Sequence, residues 1–305
     1  MINTNFKSIL DLVKAFPNEQ TCIDHLENLR WNGNVVSPFD PSSKVYKCAG
    51  NKYKCKSTGK YFNVRTATLF DNTKVELQKW FMAIYLITGH SKGISSVQLS
   101  KDLDVTQKTA WFMLQRIRNC FGITPDDQLE GEVEVDETYV GGKNKNRHMN
   151  KRAEHAQGGQ SSDKAPVVGM VQRGGDVRAK AVKKVNKREV NTEIVRNVKL
   201  DTTVFTDEWV GYKSLERVYD HYYVKHRASE YVRGNIHTNT IEGFWSLLKR
   251  GIIGIYHFTS KKHLQKYLDE FVFRYNTRNE LTQVRFNRLL SNTEHRLTYN
   301  ALIGK

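Results

Sequence analysis

The run EVEVDETYV at residues 132–140 admits few structures. Val133 and Val135 alternate with Glu134 and Asp136, the two-residue period of a strand, so one face is apolar and the other carries carboxylates. The run closes an acidic island, since residues 126–137 hold seven acids and no base. Two cationic stretches follow, KNKNRHMNKR at 143–152 and RAKAVKKVNKR at 178–188. Over all 305 residues, 48 Lys and Arg face 32 Asp and Glu, a formal net charge of +16. A compact body with that excess attracts polyanions, which makes nucleic acid the leading partner and a merely solvated basic surface the alternative. A basic frame around an acidic centre suits a nuclease-like site, the frame holding phosphates and the centre holding cations.

Several classes drop out. The longest apolar run, the eight residues 80–87, falls well short of the ~20 that span a bilayer, so it reads as a core helix and no membrane partner is expected. The N-terminus MINTNFKSILDLVKAF lacks the apolar stretch and cleavage site of a secretory signal, and the expected location is cytoplasmic, associated with the nucleoid. Cys22, Cys48, Cys55 and Cys120 are too scattered for a disulfide framework and are expected as thiols. Cys22 and His25 form a CxxH pair, but helical spacing with Ile23, Leu26 and Leu29 accounts for the cysteine without a metal.

Along the chain, two N-terminal helices are expected, then a small β-rich module over residues 31–69 and an apolar helix over 75–88. In GISSVQLSKDLDVTQKTAWFMLQRIRNCF, Ser95 would cap a short helix carrying Val97, Leu99 and Leu103. Thr106 would cap a longer one carrying Ala110, Met113, Leu114 and Ile117. That pattern fits a helix-turn-helix, with Gln107, Lys108 and Thr109 where side chains meet base edges; an ordinary helical hairpin fits it equally. Beyond the acidic strand come two strands joined at Gly174-Gly175, a helix over 187–198, a short strand ending at Asp207, another strand over 222–226, and helices over 239–249 and 261–277. The order is that of a layered α/β nuclease domain with a mixed sheet.

Three acids stand at element ends: Asp136 and Asp207 on strands, and Glu242 in the first turn of a helix. Carboxylates brought together repel, and hard divalent cations relieve the repulsion. Two such ions could activate an oxygen nucleophile on one side of a phosphodiester and stabilise the leaving oxygen on the other. Lys249, seven residues after Glu242 and nearly two turns along, returns to the same helix face, where it could hold the substrate phosphate. Asn239, three residues before Glu242, is an alternative third ligand, with His237 nearby.

EVDETYVGGK, VFTDEW and HTNTIEGFWSLLKRGIIGIYHFTSKKHLQKYLDEFVFRYNTR resemble the DDE nuclease domain of bacterial insertion-sequence transposases, in the ISXO-like branch, and the helix-turn-helix and the segment before it resemble the same family. The resemblance spans about residues 20–282. It implies a ribonuclease-H-like catalytic domain that cuts element ends and joins them to target DNA using Mg²⁺, with Mn²⁺ as a substitute. Asp136 would match the first acid, Asp207 the second, and Glu242 with Lys249 the acid-plus-lysine helix; some members carry asparagine at the third position, which keeps Asn239 in contention. The expected division is 1–74, helical plus ribbon-like; 75–124, helix-turn-helix; 125–282, catalytic; and 283–305, a tail packing on the catalytic domain. Gln107, Lys108, Thr109, Arg116, Lys143, Lys145, Arg147, Lys183, Lys184 and Arg250 are the expected DNA contacts. Holding two terminal inverted repeats together implies a homodimer or larger assembly. A catalytically inactive DNA-binding regulator and a nuclease without strand transfer remain the alternatives.

One departure concerns zinc. Related proteins carry a ribbon with two CxxC-like pairs. Here those positions read Ser37-Pro-Phe-Asp40 and Cys55-Lys-Ser-Thr58, so the module is expected to fold without zinc, held by Phe39, Tyr46, Tyr53, Tyr61 and Phe62.

Overall fold

The computed structural model describes residues 6–122, 127–141, 148–151, 164–225 and 232–304. The chain divides into two compact units, one of residues Met1–Gly122 with Asn279–Lys305 and one of Ile123–Arg278. The C-terminal segment thus belongs with the N-terminal unit, not with the catalytic part on which a tail was expected to pack. Among the described residues no helix is long and apolar enough to cross a membrane.

In the first unit, helices α1 (Ile9–Ala15) and α2 (Glu19–Trp31) begin at capping boxes on Ser8 and Asn18. They lead into a three-stranded antiparallel sheet of β1 (Val45–Cys48), β2 (Lys52–Cys55) and β3 (Tyr61–Phe62), in that order. Then come α3 (Leu77–Gly89), α4 (Ser96–Leu103) and α5 (Gln107–Arg118). The Ser95 and Thr106 side chains accept from Gln98 N and Thr109 N, capping α4 and α5 where the sequence placed their starts. Leu99, Leu103, Ala110, Met113, Leu114 and Ile117 are buried, whereas Val97 and Leu29, at helical spacing with buried neighbours, are exposed. Phe6, Phe16, His25, Phe81 and Phe286 interlock as an aromatic core. Burial there pushes the Cys22 thiol up to about 12 and holds His25 below its usual value. The Glu19 carboxylate reaches from α2 to accept from Leu77 N at 2.6 Å, supplying the cap that α3 lacks locally.

The ribbon-like module is held differently from the expectation. Tyr53 and Phe62 are buried against Trp31, but Phe39, Tyr46 and Tyr61 lie at the surface. The place of the two ligand pairs holds a knot of hydroxyls: Ser57 Oγ donates to Asp40 Oδ2 at 2.6 Å and lies 3.4 Å from Cys55 Sγ. Hydroxyls of Ser37, then Ser43, Ser57 and Thr58, bring the Cys55 thiol down to about 6.

The second unit is a three-layer mixed α/β structure. Its strands are β4 (Glu132–Val140), β5 (Ala165–Gln172), β6 (Val177–Ala181), β7 (Thr203–Thr206) and β8 (Asp220–Tyr223). They form one sheet in the order β6-β5-β4-β7-β8, antiparallel on the β5 and β6 side and parallel through β7 and β8. Helix α6 (Lys187–Asn197) and the 3-10 helix Val210–Arg217 cover one face through Val133, Val135, Val190, Ile194 and Tyr212. Helices α7 (Asn239–Gly251) and α8 (Leu264–Asn276) cover the other through Ile241, Phe244, Trp245, Leu268 and Phe271. The remaining helices, α9 (Thr282–Ser291) and α10 (Tyr299–Ile303), lie in the first unit.

Candidate active site

The alternation in β4 decides which side chains meet. Val133 and Val135 join the α6 layer, and Glu134 and Asp136 turn toward α7. Glu134, wholly buried, accepts from Thr240 N at 2.8 Å and Ile241 N at 3.0 Å, the free amides at the start of α7. Thr240 Oγ1 donates to it at 2.9 Å and Arg173 Nε at 2.8 Å, and His237 Nδ1 lies 3.1 Å away. Thr238, which stands at the cap position, makes no side-chain capping bond. A carboxylate from the sheet therefore caps α7 in its place and complements the positive end of the helix. Arg173 binds Glu132 as well and lies over the Phe205 ring at 4.2 Å, tying β4 and β7 to the chain entering α7.

Two residues along β4, the Asp136 carboxylate accepts from Trp245 Nε1 at 3.0 Å. The β4–β7 register pairs Glu134 with Phe205, so carrying it two residues further puts Asp207 beside Asp136. Burial first, then the charges of Glu137 and Asp207, pushes the Asp136 carboxyl up to about 7. Glu137 is raised chiefly by burial, although Tyr212 donates its hydroxyl to Glu137 Oε2 at 2.6 Å and opposes the shift. Asp207 Oδ1 also accepts from Trp209 N at 3.0 Å, which fixes the chain leaving β7.

A cleft of about 790 Å³ opens over Asp136 and Glu137 and is walled by Glu242, Trp245, Lys249 and Arg250 of α7. Glu242 and Lys249 thus share it, as their spacing predicts. Asn239 is exposed at the start of α7 and is not among the cleft's lining residues, and His237 is engaged with Glu134 and Arg173. Among the described residues no three His, Cys, Asp or Glu side chains are gathered closely enough to enclose a metal ion. The acids meet as neighbours, Asp136 beside Asp207, and across the cleft from Asp136 to Glu242.

Gly169 makes the arrangement sterically possible. It pairs with Asp136 across the β4–β5 ladder, and a Cβ built on it would stand 2.4 Å from the Trp245 ring. Gly169→Ala is expected to displace the indole that holds Asp136 and to cost roughly 1–3 kcal/mol of stability, the range for overpacking a filled core, readable in urea unfolding.

The expected DNA contacts fare unequally. Gln107 and Lys108 are exposed at the start of α5, with Lys108 Nζ 5.5 Å from the Tyr299 ring. Thr109 is partly buried and its amide serves the α5 cap. Lys183, Lys184 and Arg250 are exposed. Arg116 is corrected: only 4% exposed, it lies over the Trp80 and Phe112 rings and donates to Asp71 O, so it is a packing residue. Lys143, Lys145 and Arg147 lie outside the described residues. Sequence reasoning missed Glu134 and Arg173 as the clamp on α7; the only available signal for Glu134 was its place on the Asp136 face of an alternating strand.

Comparison with known proteins decides the family. Residues 128–276 match the ISXO2-like transposase domain. An uncharacterized protein in transposable element ISH50 of Halobacterium salinarum is 30% identical over 275 residues, covering 86% of this chain and 92% of that protein. The chain belongs to the ISXO2-like transposase family. The matched residues fall within the second unit and include Asp136, Asp207, Glu242 and Lys249 of this family member. Among solved structures, the crystal structure of the Mos1 Strand Transfer Complex aligns over 69% of this chain and 74% of that one, at 14% identity and a TM-score of 0.30, a likeness too low to support the fold.

Proposed function

We propose that this transposase-family chain binds the ends of an insertion sequence, cleaves DNA there and joins the freed ends to target DNA. The observation that carries the reading is the carboxyl of Asp136, held at about 7 by burial and by Glu137 and Asp207, at the floor of an open cleft whose wall supplies Glu242, Lys249 and Arg250. Its sheet order, three antiparallel strands continued by two parallel ones with helices on both faces, supports a ribonuclease-H-like domain.

Carboxylates are the donor type hard divalent cations take, and such a cation would relieve the repulsion between Asp136 and its acidic neighbours Glu137 and Asp207. Drawn closer together than they stand here, Asp136, Asp207 and Glu242 would hold Mg²⁺ or Mn²⁺; Glu242 is favoured over Asn239 because it lines the cleft with Asp136, while Asp207 stands behind Asp136 outside that lining. Bound there, the cations would supply an activated oxygen nucleophile and charge stabilisation at the phosphodiester. Lys249 and Arg250 hold the phosphate against the acids and offset its charge. Trp245 fixes Asp136 through its indole N–H, and Glu134 keeps α7 docked so that both walls hold one spacing. The exposed start of α5 reads element ends, and two ends require at least two copies of the chain.

The test is nicking of DNA carrying the sequences that flank this coding region, in Mg²⁺, Mn²⁺ or chelator, followed by joining of pre-cut ends. Nicks at the ends in either metal and none in chelator are expected, and metal-independent or absent nicking refutes the reading. End binding measured across a salt series is expected to weaken with a log–log slope of about −0.9 per phosphate neutralised.

A further inference from the structure

The small sheet β1–β2–β3 has one face it needs and one it does not. Tyr53, Cys55 and Phe62 point inward and are buried, with Tyr53 and Phe62 against Trp31. On the opposite face the ladder pairs Tyr46 with Lys54 and Lys54 with Tyr61, so a tyrosine, a lysine and a tyrosine stand in a row across three strands. Tyr46 is 42% exposed and Tyr61 60%. Lys44 Nζ lies 5.5 Å from the Tyr46 ring and Lys54 Nζ 5.5 Å from the Tyr61 ring. At the sheet's margin Lys60 Nζ lies 5.2 Å from Phe39, another exposed ring. Residues 44–60 contain six lysines and no acid, so no carboxylate of this segment neutralises the face.

We propose that this outer face is a binding platform for single-stranded DNA, with bases stacking on Tyr46 and Tyr61 and the phosphates between them meeting Lys44, Lys54 and Lys60. Exposed rings do nothing for the core, and a β-strand separation of about 4.8 Å leaves room for one base on each outer strand with the lysine between. Stacking on tyrosine needs a free base face, which single strands offer and intact duplex does not. The positive segment has the charge complementary to a polynucleotide, and Lys44 and Lys54, on long side chains beside the two rings, can swing off the ring faces to meet the phosphate of a nucleotide stacked there. The inference deepens the proposed role on DNA, but it rests on the first unit alone and requires neither metal nor cleavage.

The test is anisotropy of a labelled oligothymidylate and of a labelled duplex, titrated with the full chain in chelator. Tyr46→Ala/Tyr61→Ala is expected to weaken oligothymidylate binding about tenfold or more while leaving duplex binding within about twofold, stacking being lost at two rings. Tyr46→Phe/Tyr61→Phe is expected to bind as the parent does, which separates loss of stacking from loss of fold. Unchanged oligothymidylate affinity in the alanine variant overturns the proposal. So does an equal loss on duplex, which would mark the face as a backbone contact, and so does a phenylalanine variant as weak as the alanine one. Because chelator silences nicking, failure of the cleavage reading leaves these outcomes unaffected.

Discussion

Asp136→Asn is expected to abolish end cleavage and at the same time to stabilise the protein at alkaline pH. The rate loss should reach at least about 10³-fold, since a carboxylate holding catalytic cations contributes several kcal/mol to the transition state. The stability gain follows from the raised carboxyl. Asp136 protonates at about 7 in the folded chain against 3.8 when unperturbed, so between those values the folded state binds more protons and stability falls as pH rises. Above about 7 the buried charge costs the folded chain its full penalty; below the unperturbed value the penalty vanishes. Asparagine carries no charge and still accepts from Trp245. In chelator, thermal unfolding should therefore show Asp136→Asn more stable than the parent at pH 8 by on the order of 4 kcal/mol, with the gap closing toward pH 4. An equal gap at both pH values would show that the carboxyl is not raised. A variant that cleaves at the parent rate would remove Asp136 from the chemistry.

The second large effect is expected at Glu134, which approaches no substrate. Glu134→Ala leaves the Arg173 guanidinium and the amides of Thr240 and Ile241 without their buried acceptor. Removing one partner of a buried ion pair costs about 3–5 kcal/mol. Glu134→Gln keeps one accepting oxygen but presents an amide donor to groups that themselves donate, so it should lose less than alanine and more than nothing. Because Glu134 holds the start of the helix bearing Glu242 and Lys249, cleavage should fall in both variants under conditions where they remain folded. A helix cap acting only on stability would leave the rate of the folded fraction unchanged, and single-turnover cleavage by folded Glu134→Gln separates the two cases.

Local pattern made much of the fold legible. The alternation in β4 sorted valines from acids correctly, and Ser95 and Thr106 marked the starts of α4 and α5, because these signals act within a few residues and depend on backbone geometry alone. The spacing of Glu242 and Lys249 put them on one face of α7 for the same reason, and the structure adds that this face lines the cleft. Side chains of mixed character were read less well. Arg116 looked like a phosphate contact and is sandwiched between rings, while Tyr46 and Tyr61 looked like core and are exposed. Arginine and tyrosine each pair an apolar body with a polar end, so composition does not tell which environment they occupy.

What the sequence by itself determined is the set of elements and the face on which each acid stands, since period and capping are properties of a short stretch of backbone. What only the tertiary structure decided is which distant groups meet. Glu134 takes over the cap of a helix whose bonded residues lie 106 and 107 positions away, Gly169 admits the Trp245 ring against the sheet, and Asp207 arrives beside Asp136 through a parallel register. Those meetings are set by strand order and by packing across layers, and a one-dimensional pattern carries no record of either.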